Sequence, residues 1–246
     1  MMLSTFRADL HIHTCLSPCA ELDMTPRRIL RRAMEMSLDI IAITDHNASE
    51  NIEAAMAVES PVTVIAGMEI TTSEEAHIIA LMPDTESLRS LREVIRGNMP
   101  SGMGTKMAYE QVIVNEHDEV EGFVKELLIN ATLLDAYSVI NLIHEHRGLA
   151  IAAHVDREVF SILTQFGFIP PDMDFDGLEI SFRTSPEEAE RGLSSYRRYP
   201  WIRSSDAHHL VDIGRCYTEF HLREPSFEEI KMALRSLKGR GVTIHG

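Results

Sequence analysis

The strand-like apolar runs of this chain end, again and again, in histidine or a carboxylate. Residues 6–13 read FRADLHIH and finish in Asp9-Leu10-His11-Ile12-His13. LDIIAIT (38–44) is apolar throughout, as expected for a strand buried on both faces, and runs into Asp45-His46. VTVIAG (62–67) leads to Met68-Glu69, AHIIAL (76–81) carries His77, and LAIAAH (149–154) closes on His154. GLEIS (177–181) reads as a further strand, and WIRSSD (201–206) delivers Asp206, His208 and His209.

Helical stretches separate these runs. Thr25 reads as an N-cap with Pro26 at the first helical position, opening a helix to about Ser37. Further helices are expected over 48–59, 84–95, 135–148 (closed by Gly148 at its C-cap), 186–191 and 226–237. Repeated strand–helix units imply parallel strands with right-handed crossovers. Roughly seven such units exhaust the chain, so the fold class expected is α/β: a distorted (β/α)7 TIM-like barrel of mostly parallel strands, one domain over 1–246. The pattern breaks at 97–134. There GNMPSGMGTKM (97–107) reads as a loop and QVIVNEHDEVEGF (111–123) as a hairpin turning near 115–118, together an insertion and a candidate flap.

In α/β barrels the carboxyl ends of the strands carry the chemistry. Residues two apart on a strand face the same side, so His11 and His13 point together, as do Asp206 and His208. Such a gathering of imidazoles and carboxylates needs a partner if buried, and divalent ions such as zinc, iron or manganese suit these donors better than calcium does. Of the adjacent Asp45 and His46 only one points inward; His46 is the expected ligand, with Asp45 behind it. Glu69 and His154 join the set because the rest of it exists. His77 reads equally as ligand or satisfied core histidine. His144 and His146, late in a helix, read as structural, and His117 as solvated. His221 and His245 fall outside the pattern, and His209 stays ambiguous. Arg157 and Arg183 follow strand ends and could hold phosphate or form surface ion pairs.

Composition narrows the partners. Twenty-three basic against 38 acidic residues give a net charge of -15, which disfavours an extended nucleic-acid surface. The basic cluster Arg27, Arg28, Arg31 and Arg32 reads as a solvated helix face. No run approaches the ~18 apolar residues of a membrane span. Three cysteines make no disulfide framework, and the N-terminus shows no signal-peptide pattern; the cytoplasm is the expected compartment. No oligomeric state is read from the chain.

Taken in order, DLHIHT (9–14), TDH (44–46), GMEIT (67–71), AAH (152–154) and SDAH (205–208) resemble the PHP (polymerase and histidinol phosphatase) superfamily over about residues 7–220. The resemblance implies a distorted barrel holding two or three divalent ions: His11, His13, Glu69 and Asp206 on the first, Glu69 bridging to a second with His77 and His154, and His46 and His208 on a third. Many small relatives place a liganding Asp shortly after the HxH pair. Here Pro18 stands at that position, and Glu21, Asp23 or Cys19 could substitute, with Glu21 taken as the candidate ligand. The implied reaction is hydrolysis of a small phosphate ester, a phosphomonoester or the phosphodiester of a nucleotide or oligonucleotide end, by metal-activated hydroxide. Arg157 and Arg183 would bind phosphoryl oxygens, and His208 or His209 would assist the leaving group. Two alternatives stand beside it: a metal-dependent amidohydrolase, for which a carbamylated lysine would be expected at a strand end and none is found, and a non-catalytic metal-binding module.

Overall fold

The computed structural model describes residues 2–100 and 110–244. Most of the Gly- and Met-rich loop expected at 97–107, and His245, lie outside them. In chain order the elements are β1 (Ser4–Ile12), α1 (Pro26–Glu35), β2 (Ile40–Ile43), α2 (Ile52–Ala57), β3 (Thr63–Thr71), β4 (His77–Met82), α3 (Thr85–Gly97), β5 (Val112–Val114), β6 (Val120–Phe123), α4 (Ala136–Glu145), β7 (Leu149–Ala152), α5 (Ile162–Phe166), β8 (Gly177–Ile180), α6 (Pro186–Gly192), β9 (Trp201–Arg203), β10 (Thr218–Leu222), α7 (Phe227–Leu234) and β11 (Gly241–Ile244).

Nine strands form one sheet in the order β11-β10-β1-β2-β3-β4-β7-β8-β9. The sheet curls until its ends nearly meet. Arg203 N donates to Thr218 Oγ1 and that hydroxyl returns a bond to Arg203 O, tying β9 to β10, while Ala207 bridges Ile12 at the end of β1. The result is the expected TIM-like α/β barrel, with two corrections to its strand plan. First, β4 is antiparallel to both neighbours, because residues 72–76 make a tight β3–β4 turn in place of a helical crossover. Second, β10 and β11, which the sequence reading passed over, add an antiparallel pair beside β1. With β4 and β10 reversed, the other seven strands run one way.

The apolar pattern sorts into two layers. Ala8, Leu10, Ile40, Ala42, Ile65, Ile79, Leu81, Leu149, Ile151 and Ile202 fill the barrel interior against Phe220 and α7. Ile41, Ile43, Ala66, Met68, Ile70, Ala150, Ala152 and Ile180 face outward under the helices. Every residue of β2 is buried, as its unbroken apolar run predicts. Helix α1 buries Ile29, Leu30 and Ala33 and leaves Arg27, Arg28 and Arg31 in solvent, the solvated face expected. Ile29 and Leu30 each contribute roughly 1.5–3 kcal/mol.

Two boundaries differ for physical reasons. Helix α2 begins at Ile52, not near residue 48, because the preceding side chains serve the insertion: Asn47 Nδ2 donates to Leu128 O and Asn130 O, and Asn51 Nδ2 to Val112 O. After α4 it is Arg147, not Gly148, that takes the left-handed turn, with φ 65. Gly148 is needed for closeness: a Cβ there would come within 2.5 Å of Met82 Sδ and 2.9 Å of Leu81 O. The hairpin β5–β6 forms where expected, with Asn115 and Asp118 in its turn.

Candidate metal centre

Strand alternation carries the interior positions up to the barrel rim. On β3, Ile65 lies in the interior and Glu69, four residues on, points the same way. Gly67 between them lets β3 sit close to its neighbours, since a Cβ would meet Thr44 Cγ2 at 2.8 Å and Ala80 O at 3.0 Å. On β2 the same parity carries Ala42 to His46. Because β4 runs backwards, its first residue, His77, lies level with the last residues of the parallel strands. On β1 a register shift between Asp9 and Ile12 lets the consecutive Leu10 and His11 both face inward, Leu10 in the interior cluster and His11 reaching across the rim. His154 (φ 28) and Asp206 (φ 49) complete the ring from left-handed backbone, a strained conformation for side-chain-bearing residues that concentrates at functional sites.

Glu69 is the hub. Its carboxylate lies 2.8 Å from His77 Nδ1, 3.0 Å from His46 Nδ1, 3.3 Å from His11 and His154 Nε2, and 3.4 Å from His13 Nε2. Asp206 Oδ1 approaches His11 and His13 Nε2 at 3.4 and 3.3 Å. The His208 ring stacks on His13 at 4.2 Å between centroids. All eight side chains therefore converge, as the ordered motifs predicted. Among the described residues, three donor groups are close enough to share an ion: His11–His13–Glu69, His46–Glu69–His77 and His13–His46–His208.

The donor set fits divalent ions. The Nε2 atoms of His11 and His13 lie 3.2 Å apart, two lone pairs aimed at one spot, and His154 Nδ1 is buried without a hydrogen-bond partner. Burial would raise the pKa of Glu69, but His77, His11 and His46 hold it well below the usual carboxylate range. Burial likewise opposes ionisation of Asp206, and His11 and His13 overcome it. Burial lowers His77 to about 4, leaving a neutral imidazole able to ligate.

Behind these groups stands a layer that the sequence only hinted at. Glu179 on β8 accepts from His11 Nδ1 at 3.0 Å and from His154 N at 2.9 Å, fixing which His11 nitrogen faces the centre. It was missed as a ligand-orienting group; an acidic residue alone in an apolar strand was the available signal. Asp45 takes bonds from Thr14 N, Thr14 Oγ1 and Ser17 Oγ, and that serine meets His13 Nδ1 at 3.0 Å, so Asp45 stands behind the candidate ligands.

The remaining candidates divide. Arg157 reaches Asp206 Oδ2 at 2.5 Å and lines a cavity of about 180 Å³ with Cys19, His46, Glu69, His77, His154, Asp206, His208, Ile129 and Phe160. Arg183 lies outside that cavity, in an adjoining groove that also has Arg157 in its wall. Glu21 and His209 are not brought in: they pair with each other at 2.9 Å, both about half exposed, because the loop turns Glu21 toward solvent. Cys19 is the side chain of that loop that faces the cavity. Desolvation would raise its thiol, but the neighbouring imidazoles of His208 and His46 bring it down to about 7. His144 pairs with Asp176 and His117 with Glu116, both away from the centre as expected.

Comparison with known proteins places this geometry. Residues 9–168 match the PHP domain model, and residues 188–238 match a PHP-associated model. Over 83 residues the chain is 37% identical to the 5'-3' exoribonuclease Rnm of Salmonella typhimurium, covering 31% of this chain and 27% of that protein. It is 25% identical over 192 residues to a 5'-3' exoribonuclease of Haemophilus influenzae, covering 61% of this chain and 69% of that one. The lesion-specific endonuclease Q of Pyrococcus furiosus shares the fold, with a TM-score of 0.77 at 19% identity over 97% of this chain. The chain spans about a quarter of the Salmonella protein and 58% of the endonuclease Q chain. The donor set at the barrel rim, able to hold metal ions, and the family match stand on the same residues. The chain belongs to the PHP domain family.

Proposed function

We propose that the protein hydrolyses a phosphate ester of a nucleotide or of the end of a short oligonucleotide. The observation that carries this reading is the convergence of eight buried or half-buried ligand-type side chains around Glu69, beside one small cavity with a guanidinium, Arg157, in its wall. A cavity of about 180 Å³ suits a phosphoryl group and its nearest substituents, not the body of a duplex. The exoribonuclease names of two relatives support a nucleotide substrate.

His11, His13, Glu69 and Asp206 would hold one ion, Glu69 with His77 and His154 a second, and His46 with His208, beside Cys19, a third; zinc, iron or manganese suits the donors. When bound, such ions supply Lewis-acid polarisation of the phosphoryl oxygens and a nucleophilic water of lowered pKa. The chain's own residues do the rest. Arg157, steadied by Asp206, offers N–H donors to a phosphoryl oxygen, and Arg183 offers the same to a phosphate in the adjoining groove. His208 has Nδ1 committed to Asp206 O at 3.0 Å, so its Nε2 would either ligate the third ion or, where only two ions are held, pass a proton to the leaving oxygen. The insertion supplies Ile129 to the cavity wall. Among the described residues no lysine lines the cavity, which disfavours the amidohydrolase alternative.

The test is to strip the protein, reload it with zinc, manganese or iron, and offer a nucleoside bisphosphate, a 5'-phosphorylated trinucleotide and a simple phosphomonoester. Two to three metal equivalents and metal-dependent release of a nucleotide are expected. His11→Ala and Asp206→Ala should abolish turnover while the circular dichroism spectrum stays native. A loaded wild-type protein that hydrolyses no phosphate ester would end this reading.

A further inference from the structure

Phe160 is an exposed aromatic residue held in a costly backbone conformation at the mouth of the cavity. Its φ of 59 is left-handed, where a bulky residue loses roughly 1–3 kcal/mol and glycine would sit freely. What the conformation achieves is placement. The Phe160 carbonyl accepts from His77 N at 2.9 Å, and its ring lies nearly parallel to the His77 imidazole, 4.8 Å between centroids and 15° between planes. Yet the residue is 40% exposed, so the ring is not spent on packing. The face turned away from the imidazole is left for a ligand.

Its surroundings match what a nucleotide presents. Ile129, also 40% exposed, lines the same cavity and adds an apolar wall. Arg157 lines both this cavity and the adjoining groove, where Val159 (58% exposed) and Arg183 lie. An aromatic face, apolar side chains and guanidinium groups thus surround one opening, complementary to a base, a sugar and phosphates.

We propose that Phe160 and Ile129 form a nucleobase subsite, in which the base next to the reacting phosphate stacks on the Phe160 ring. The proposal rests on the phosphoesterase reading for the location of that phosphate. Stacking of this kind tolerates any base, since every base has a π-face. The subsite therefore favours an aromatic heterocycle over a bare sugar phosphate without choosing among sequences.

The experiment uses zinc-loaded protein and a non-hydrolysable phosphonate-linked dinucleotide carrying 2-aminopurine, whose fluorescence falls when it stacks. Wild type and Phe160→Tyr are expected to quench it. Phe160→Ala and Phe160→Gly should lose the quench and bind about 5- to 150-fold more weakly, the fold-change equivalent of a stack of ~1–3 kcal/mol. A matched ligand with an abasic ribose should bind all four proteins alike. Phe160→Gly relieves the φ strain, so it removes the ring without burdening the fold. If Phe160→Gly binds the 2-aminopurine ligand like wild type, or weakens both ligands equally, the subsite is overturned and the ring merely walls His77. Loaded wild type that cleaves phosphate esters with no dependence on Phe160 removes the subsite alone. A Phe160-dependent quench without any hydrolysis removes the phosphoesterase reading and leaves the subsite standing.

Discussion

Glu179 touches the centre only through other groups, yet it sets their geometry. Its carboxylate takes the His11 Nδ1 hydrogen and the His154 amide, so it selects the His11 tautomer and holds the turn that presents His154. Outer carboxylates of this kind are worth about 10- to 100-fold in metal affinity. Glu179→Ala should therefore weaken metal binding by about that factor in a chelator competition. Glu179→Gln, which keeps an acceptor, should recover part of the loss; equal affinity for all three proteins would show that His11 needs no orienting partner. The contrast with what the sequence revealed is instructive at this scale. The pairs His11/His13 and Asp206/His208 were legible because a spacing of two on an extended chain fixes a shared face. Glu179 was visible but mute: nothing local distinguishes a carboxylate that orients a histidine from one that ligates or merely solvates. Glu21 was misread because loop direction is set by contacts far along the chain, here the half-exposed pairing with His209.

Elements were legible wherever a local period was strong, and strand direction was not. His77 joins the centre only because β4 runs against its neighbours, a fact held in a five-residue turn and not in the apolar run that follows it. Beside the Val112 N to Cys15 O bond, one buried side chain carries much of the docking of the hairpin β5–β6. Asn51 donates to Val112 O at 3.0 Å and Thr14 Oγ1 at 2.9 Å, and accepts from Val114 N at 3.0 Å. Asn51→Ala should leave buried backbone groups unpaired at a cost of about 1–3 kcal/mol each at most. Since that loss falls on the hairpin, faster amide exchange over residues 112–123 with unchanged protection in β1–β3 is expected; uniform loss of protection would instead make the hairpin part of the barrel's cooperative unit. At the other end of the barrel, His144 on α4 bonds Asp176, just before β8, at 2.9 Å, with Asp174 and Arg235 close by. The hydrogen bond to Asp176 raises His144 above its ordinary 6.5; burial opposes but His144 and the Ala150 amide draw Asp176 below its ordinary 3.8. The histidine's share of stability is whole below 6.5 and is lost as pH climbs through its raised value, whereas the aspartate's is whole above 3.8 and is lost as pH falls through its lowered one. The melting-temperature gap between wild type and His144→Asn should then be widest near pH 5.5 and shrink by pH 9, a modest effect because the pair is partly exposed. A gap that stays constant across that range would remove the pairing from the stability of this junction.

At the scale of the whole molecule, a net charge of -15 must be reconciled with a polyanionic class of substrate. The resolution lies in where the cations are. Arg27, Arg28 and Arg31 are spread on the outer face of α1, away from the centre, and the two guanidinium groups at the cavity and its groove are Arg157 and Arg183. On the proposed reading, a protein built this way would grip a strand end through a few local contacts and repel the rest of it. Counterion release makes that measurable, since the slope of log affinity against log salt for a single strand is about -0.7 per neutralised phosphate. Two arginine–phosphate contacts predict a slope near -1.4 on a catalytically inert His11→Ala background. The slope should be the same for a trinucleotide and a 20-mer, because added phosphates meet an acidic surface. Arg183→Ala should reduce it by about 0.7. A slope that steepens with strand length would reveal an extended binding track and transfer the recognition of substrate from the rim of the barrel to its outer surface.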